Sequence, residues 1–447
     1  MNCAPRNQAY LTVTAIAAAL SGLLFGFDTV VIAGTTHALT DVFELSPVTL
    51  GITVSSALWG TMAGAAFAGT LSDKIGRRSC LRGLAILYLA SALGCAISWS
   101  WTSLLSFRIL SGLAIGASSV ISPTYIAEIA PPERRGRLVA YFQFNAVLGV
   151  LLAYLSNYLI GLTHMGVFDW RWKFGAAAIP AALFLVALVR IPESPRWLMA
   201  HGELHESLRV LREMGSNDAE SEAESIRLSL KDEQIGISES LFVWRNRFPV
   251  FLAISIGFFS QVSGVNAILY YANSIFEAAG FSAMSSGLQS VSIGLTNFVA
   301  LLIAMMFIDR IGRRALLLIG SVGTAICMAG VAYIFQVQRH QSILMWLLVG
   351  FIGFFSFSQG AVIWVYLSEI FPNRVRAKGQ ALGSFTLWFM NAIVSAAFPI
   401  AAAHWGALPF WFFSGSIVLQ FIVISATYPE THGASLESLQ ERLTLVG

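Results

Sequence analysis

Residues 71–78 read LSDKIGRR, and residues 307–314 read FIDRIGRR. Two further pairs follow at nearly the same spacing: AEIAPPERRGR at 127–137 with SEIFPNRVRAKG at 368–379, and PESPRW at 192–197 with PETHGAS at 429–435, the offsets being 236, 241 and 237 residues. Three matched motifs at nearly one offset mark a duplication. Between the motifs lie apolar stretches of about 20 residues, long enough to cross roughly 30 Å of hydrocarbon as helices. Twelve are readable, at 10–33, 48–71, 80–98, 102–127, 136–160, 172–191, 248–273, 286–308, 315–336, 343–369, 378–401 and 406–427, numbered spans 1 to 12 below. The expected fold is an all-α membrane protein of twelve transmembrane helices in two pseudo-symmetric six-helix bundles, related by an axis along the membrane normal.

Composition agrees. The chain is 56% hydrophobic and only 11% charged, with a mean hydropathy of +0.71, where a soluble domain carries about 25% charged residues. The first apolar run has Ala-x-Ala triplets only inside its apolar core, at 15–17 and 17–19, with no such cleavage site after it, and it contains an aspartate, so it reads as a retained span and not a signal peptide. The expected domains are residues 1–192 and 248–428 for the bundles, a cytoplasmic linker at 193–247 and a cytoplasmic tail at 429–447. The linker stretch SNDAESEAESIRLSLKDEQ is charged, lacks Gly and Pro, and should form short amphipathic helices.

Of the 27 basic residues, 22 fall in Arg6, Arg442, the linker and the turns at 73–82, 133–137, 309–314 and 373–378. Arg171, Lys173 and Arg339 occupy the opposite loops, and Arg108 and Arg190 lie within spans. The positive-inside rule then places both termini in the cytoplasm. The net charge of +3 is a matter of membrane orientation and lipid headgroups, and does not point to nucleic acid. Cys3, Cys80, Cys95 and Cys327 show no C-x-x-C spacing, and His37, His164, His340 and His404 stand singly near the outer loops, so no disulfide, metal site or cofactor is expected. No nucleotide-binding Gly-rich loop or nucleophile motif suggests an enzyme. The absence of N-x-[ST] sequons leans towards a bacterial inner membrane.

Each repeated basic turn sits where two spans meet the cytoplasm. Gly76 and Gly312 permit a tight reversal, and Asp73, Asp309, Arg77 and Arg313 can join pairs at neighbouring helix ends, Glu128 with Arg135 and Glu369 with Arg376 being the expected partners. Directional carboxylate–guanidinium pairs could hold the cytoplasmic side shut and break as it opens. Orientation alone would account for the basic residues and leave the acidic ones unexplained.

The segment LFGFDTVVIAG at 24–34 buries Asp28 in an apolar run. A carboxylate in hydrocarbon costs roughly 2.5–3.5 kcal/mol on insertion scales, so it tends to be paired and functional. Span 1 runs outward and span 4 inward, which puts Asp28 and Arg108 in the same outer half of the membrane. Separating such a pair would switch the affinity for a proton. One charge moved through 100 mV supplies about 2.3 kcal/mol, a bias of roughly fiftyfold. A static ion pair fixing two helices is the alternative. Further polar groups in apolar helices are Gln143, Gln261, Asn266, Asn297 and Asn391, with Phe25, Tyr270, Trp364 and Trp388 nearby. Amides both donate and accept, and aromatic faces suit C–H surfaces, as a hydroxyl-rich ligand needs. Singly, each amide could instead join helices.

The matches PESPRWL at 192–198, RGR at 135–137 and SGVNAILYY at 263–271 identify a resemblance over essentially the whole length to the major facilitator superfamily, sugar porter family. The chain is similar to bacterial proton–sugar symporters such as the xylose type and to facilitative glucose transporters. The resemblance implies the major facilitator fold and sugar contacts by Gln143, Gln261, Asn266, Asn297, Trp364 and Asn391, with Phe25, Tyr270 and Trp388 lining the pocket. It also favours Asp28 with Arg108 as the coupling pair, because facilitative relatives often carry a neutral residue in place of the aspartate. The expected activity is proton-coupled symport of a hexose or pentose by alternating access. A facilitative uniporter and a polyol or cyclitol symporter are the alternatives. Departures from the family pattern are Ser260 before Gln261, Leu387 in span 11, Val150 in span 5 and Gly360-Ala361 in place of Gly-Pro in span 10. Sugar, proton and membrane lipid are the expected partners, and a monomer is the fold-level expectation.

Overall fold

The structure, a computed structural model, describes residues 5–131, 134–216, 218–235, 240–372 and 375–431, with only the helical backbone described at 5–8, 232–235 and 309. Among the described residues all regular structure is helical, and eleven helices are long and apolar enough to cross a membrane. The expected twelfth, span 6, is present as two shorter helices, Asp169–Ala176 and Ala178–Ala187. Pro180 explains the interruption: it has no N–H to give the Ala176 carbonyl, and its ring crowds that carbonyl four residues back. The Ala177 N–H donates to the Phe174 carbonyl at 3.1 Å.

Two other spans are broken, span 7 twice and span 10 once. Span 7 consists of Arg247–Val262, Val265–Tyr270 and Ala272–Ala278. Gly264, at φ +84°, makes the first interruption, and a Cβ there would lie 2.3 Å from the Phe413 ring, so only glycine fits on both counts. Span 10 divides into Leu344–Phe357 and Gln359–Glu369 at Ser358, although the family's proline is absent. Here the Ser358 hydroxyl donates to the Phe354 carbonyl at 2.7 Å, the back-bonding that bends helices at serine.

By packing, the chain forms two compact units. The first comprises Met1–Thr29, Trp59–Ala153 and Trp170–Ile237. Its spans approach closely through small residues: a Cβ on Gly22 or Gly26 of span 1 would meet the Phe142 or Ala146 carbonyl of span 5 at 2.3 and 1.8 Å. Such contact replaces the hydrophobic driving force that lipid removes. The linker forms helices Pro195–Ala200, Leu204–Glu213 and Ala219–Ile235. They close over a small core of Leu211, Ala219 and Ala223, with Met199, Leu208 and Ile226 packed against it.

The second unit comprises Val30–Leu58, Tyr154–Asp169 and Ser238–Gly447. It includes the ends of spans 1, 2 and 5 that lie away from the basic turns. Tyr154 donates to the Leu269 carbonyl at 2.6 Å, Thr36 and Ser274 share a hydroxyl contact at 2.9 Å, and Asn157 donates to the Val31 carbonyl at 3.1 Å.

Candidate functional site

Within the first unit, Asp28 and Arg108 meet. Arg108 Nη1 lies 3.0 Å from Asp28 Oδ2, and the two residues are 6% and 2% exposed. The pairing uses one arm of the guanidinium, and Arg108 Nε has no hydrogen-bond partner among the described residues. Phe174 presents its ring 5.7 Å from the guanidinium carbon. Phe174 lies on the first helix of span 6, where its ring also meets the edge of Trp170 one turn earlier. On Asp28's other side stands Tyr88 of span 3, its hydroxyl 3.5 Å from Oδ1 and 3.4 Å from the Leu24 carbonyl. A single-armed, buried charge pair that parts without breaking a fork suits a group that must alternate between charged and neutral.

The expected sugar residues fall in both units. In the first unit Phe25 and Gln143 are half-buried, and Phe25 faces Phe142 at a ring separation of 6.4 Å. In the second unit the amides engage one another or neighbouring hydroxyls. Asn266 Nδ2 donates to Gln261 Oε1 at 2.6 Å across the span 7 break. Asn391 Nδ2 donates to the Tyr270 hydroxyl at 3.0 Å, and its Oδ1 accepts from Ser395 at 3.0 Å. Asn297 Oδ1 accepts from Ser356 at 2.7 Å. Trp388 is buried, whereas Trp364 is 42% exposed. Gln261 Nε2 lies 3.5 Å from the Ser260 hydroxyl, so the serine standing at the family's second glutamine is a weak partner of the first. Amides satisfied by neighbouring amides and hydroxyls can exchange those bonds for ligand hydroxyls at small net cost.

The repeated turns build two matching polar brackets, one in each unit. In the first, Arg77 Nη2 reaches Glu128 Oε1 at 3.0 Å, and Arg77 Nη1 reaches Asp73 at 2.9 Å and donates to the Ser72 carbonyl. Ser194 donates to the other oxygen of Glu128. Glu193 Oε1 accepts the N–H groups of Arg78 and Ser194 at 3.0 and 2.9 Å. In the second, Arg313 Nη2 reaches Glu369 Oε1 at 3.0 Å, and Thr431 donates to Glu369 Oε2. Glu430 accepts the N–H groups of Arg313, Arg314 and Thr431 at 2.9, 3.1 and 3.0 Å. Gly76 and Gly312 precede these helix starts with no side chain to cap them, at φ +91° and +92°. A carboxylate from beyond the sixth span of each half supplies the cap and opposes the positive helix end.

The expected partners of Glu128 and Glu369 are thereby corrected. Arg77 and Arg313, at the starts of spans 3 and 9, hold the carboxylates, because they open their helices beside the ends of spans 4 and 10. Arg135 is exposed at the start of span 5, and Nε and Nη2 of Arg376 have no hydrogen-bond partner among the described residues. The side chain of Asp309 lies outside the described residues. Glu193, Ser194, Glu430 and Thr431 were not among the expected site residues, though the third repeated motif, P-E-[ST], marks all four.

Membrane-length helices, a buried charge pair and amides at helix breaks define an integral multi-pass transporter. The family described as "Sugar (and other) transporter" matches residues 14–443. The arabinose-proton symporter of Bacillus subtilis (strain 168) is 35% identical over 97% of this chain and 95% of its own length, and the D-xylose-proton symporter of Escherichia coli (strain K12) is 34% identical over 97% and 96%. Among solved structures, the inward open conformation of the xylose transporter XylE from E. coli superposes with a TM-score of 0.86 at 33% identity, covering 97% of this chain and all of that one. The chain belongs to the sugar porter family of the major facilitator superfamily, whose members are transporters and not enzymes.

Proposed function

We infer that the protein is a proton-coupled monosaccharide symporter that works by alternating access, with Asp28 as the proton site and Arg108 as its counter-ion. The observation that carries this reading is the Asp28–Arg108 pair, 3.0 Å apart and shielded from solvent in a helix otherwise apolar around it. A charge buried there for structure alone would be poor value, since well-packed apolar residues usually serve as well or better. Protonation releases the pair, the transporter reorients, and deprotonation on the other side resets it. The relatives named for arabinose and xylose make pentoses the first substrates to try.

The amides of spans 5, 7, 8 and 11 would bind the sugar hydroxyls, and Phe25, Tyr270, Trp364 and Trp388 its C–H faces. Several neutral hydrogen bonds of about 0.5–1.5 kcal/mol each give micromolar to millimolar affinity, weak enough to release cargo. The two brackets, Arg77–Glu128–Ser194 and Arg313–Glu369–Thr431 with their glutamate caps, would stiffen each half on the cytoplasmic side and serve in gating. Both chain ends and the basic turns are assigned to the cytoplasm of a bacterial inner membrane, in a protein acting as a monomer.

The test is sugar-dependent alkalinisation of the medium outside cells expressing the protein, across pentoses, hexoses and polyols. One of these should raise the external pH and accumulate, and Asp28→Asn should abolish accumulation while sugar–sugar exchange survives. Entry of labelled sugar with no pH change, and never above equilibrium, would make the protein a uniporter and remove the coupling role from Asp28.

A further inference from the structure

We propose that Tyr88 is a positioning residue for proton exchange, giving Asp28 a hydrogen-bond partner in both of its protonation states; this rests on the reading of Asp28 as the proton site. The charged state is already provided for: Oδ2 lies 3.0 Å from Arg108 Nη1, and Oδ1 faces the Tyr88 hydroxyl. The neutral state poses a separate problem. A protonated carboxyl carries an O–H that needs an acceptor, and a guanidinium has five donors and none. Arg108 favours the carboxylate and offers no acceptor for the new O–H, and an orphaned donor in a site this buried is unfavourable.

The Tyr88 oxygen can accept. Its hydroxyl stands almost equally far from two oxygens, 3.5 Å from Asp28 Oδ1 and 3.4 Å from the carbonyl of Leu24, one turn earlier on the same helix. Both distances exceed the usual 2.7–2.8 Å for such bonds, so the group is committed to neither acceptor. When Asp28 is charged, the phenol O–H turns to the carboxylate. When Asp28 takes up a proton, the phenol O–H turns to Leu24, and its oxygen lone pair receives the new carboxyl O–H. The transported proton goes on and off Asp28 alone, and the phenol keeps its own throughout. Tyr88 is itself 2% exposed, so bulk solvent does not reach it. The titratable groups around it are Asp28 from span 1, Arg108 from span 4 and Cys95 on its own span 3. The second helix of span 6, AIPAALFLVA, has none, and the first places Phe174 over Arg108.

The experiment compares proton-driven uptake and sugar exchange in proteoliposomes, using the sugar that passes the alkalinisation panel, D-xylose first. Tyr88→Phe keeps the ring and removes the oxygen. It should lower proton-driven uptake roughly threefold to tenfold, the loss expected from one or two hydrogen bonds, and narrow the pH range over which uptake is driven. Exchange at equal pH should stay within about twofold of the parent, and in an Asp28→Asn background, which has no proton to place, the same change should have no further effect beyond about twofold. Tyr88→Gln, which restores a donor and an acceptor, should recover part of the lost uptake and keeps the test open if the Phe variant fails to fold. Uptake and pH profile unchanged in Tyr88→Phe, or uptake and exchange falling in parallel as from a packing defect, would overturn the role of Tyr88 while leaving Asp28 in place. Accumulation surviving in Asp28→Asn would instead remove the proton site and this proposal together.

Discussion

Replacing Glu430 with glutamine should destabilise the protein more than the matching change at Glu193. Glu430 takes two N–H groups from the first turn of span 9, Arg313 and Arg314, whereas Glu193 takes one from span 3, that of Arg78. A bond to a charged acceptor nets about 1.5–3 kcal/mol against 0.5–1.5 for a neutral one. Glutamine keeps the shape but turns one acceptor oxygen into an NH2 donor, so Glu430→Gln, whose Arg313 and Arg314 bonds use different oxygens, loses one bond and weakens the other, whereas Glu193, accepting on Oε1, suffers only the weakening. With about 0.3–1 kcal/mol of attraction to the positive helix end lost in each, the sum is about 3–5 kcal/mol for Glu430→Gln and about half of that for Glu193→Gln, before allowance for partial exposure of both carboxylates. Purified protein in detergent, followed by intrinsic fluorescence on heating, should show Tm lower by about 4–10 °C for the first variant and about half as much for the second. A Tm within a degree of the parent for Glu430→Gln, or the reverse order of the two, would show that these caps do not hold the helix starts.

The corrected pairing makes its own contrast. Arg135→Ala should change stability by no more than about 0.5 kcal/mol, as exposed substitutions do, while Arg77→Ala, which removes the partner of Glu128 and Asp73, should cost several times as much. Equal Tm shifts for the two would restore Arg135 to the bracket. In the linker, Arg212 holds the Glu220 carboxyl, and Arg227 the Glu224 carboxyl, below the ordinary value of 4.5. Depressed carboxyls contribute at neutral pH and lose that contribution as pH falls below the ordinary range. Hydrogen exchange in helix Ala219–Ile235 should therefore become faster, relative to the intrinsic rate, as pH drops below about 4.5, and protection that stays level would refute it.

Much of this architecture was legible because hydrophobic length and motif repetition are long-range signals that a single sequence carries. Asp28 and Arg108 were placed in the same half of the membrane by helix direction alone, and they lie together. Other features were hidden because they depend on local backbone choices. Pro180 reads as one more apolar residue until its cost to the Ala176 carbonyl is counted. The break in span 10 was not expected without proline, since a serine back-bond leaves no pattern of its own. Glu128 was matched to Arg135, close to it along the chain, whereas its partner Arg77 is brought near by the hairpin of spans 3 and 4. Sequence proximity is a poor guide where antiparallel helices bring distant ends together. The sugar amides could be named but not paired, since which amide satisfies which depends on the breaks.

The glutamate caps also bear on how the chain is made. Arg78 waits for a carboxylate 115 residues further on, and Arg314 for one 116 residues away. At about 5–20 residues per second, a ribosome takes roughly 6–23 s to deliver each cap after its helix start has emerged. Until then the first turn of span 3 or span 9 has bare N–H groups at the membrane face, a feature that a chaperone or protease could recognise. Each half of the protein thus completes its fold on the last residues of its own repeat, and a stalled or truncated half would be left marked as unfinished.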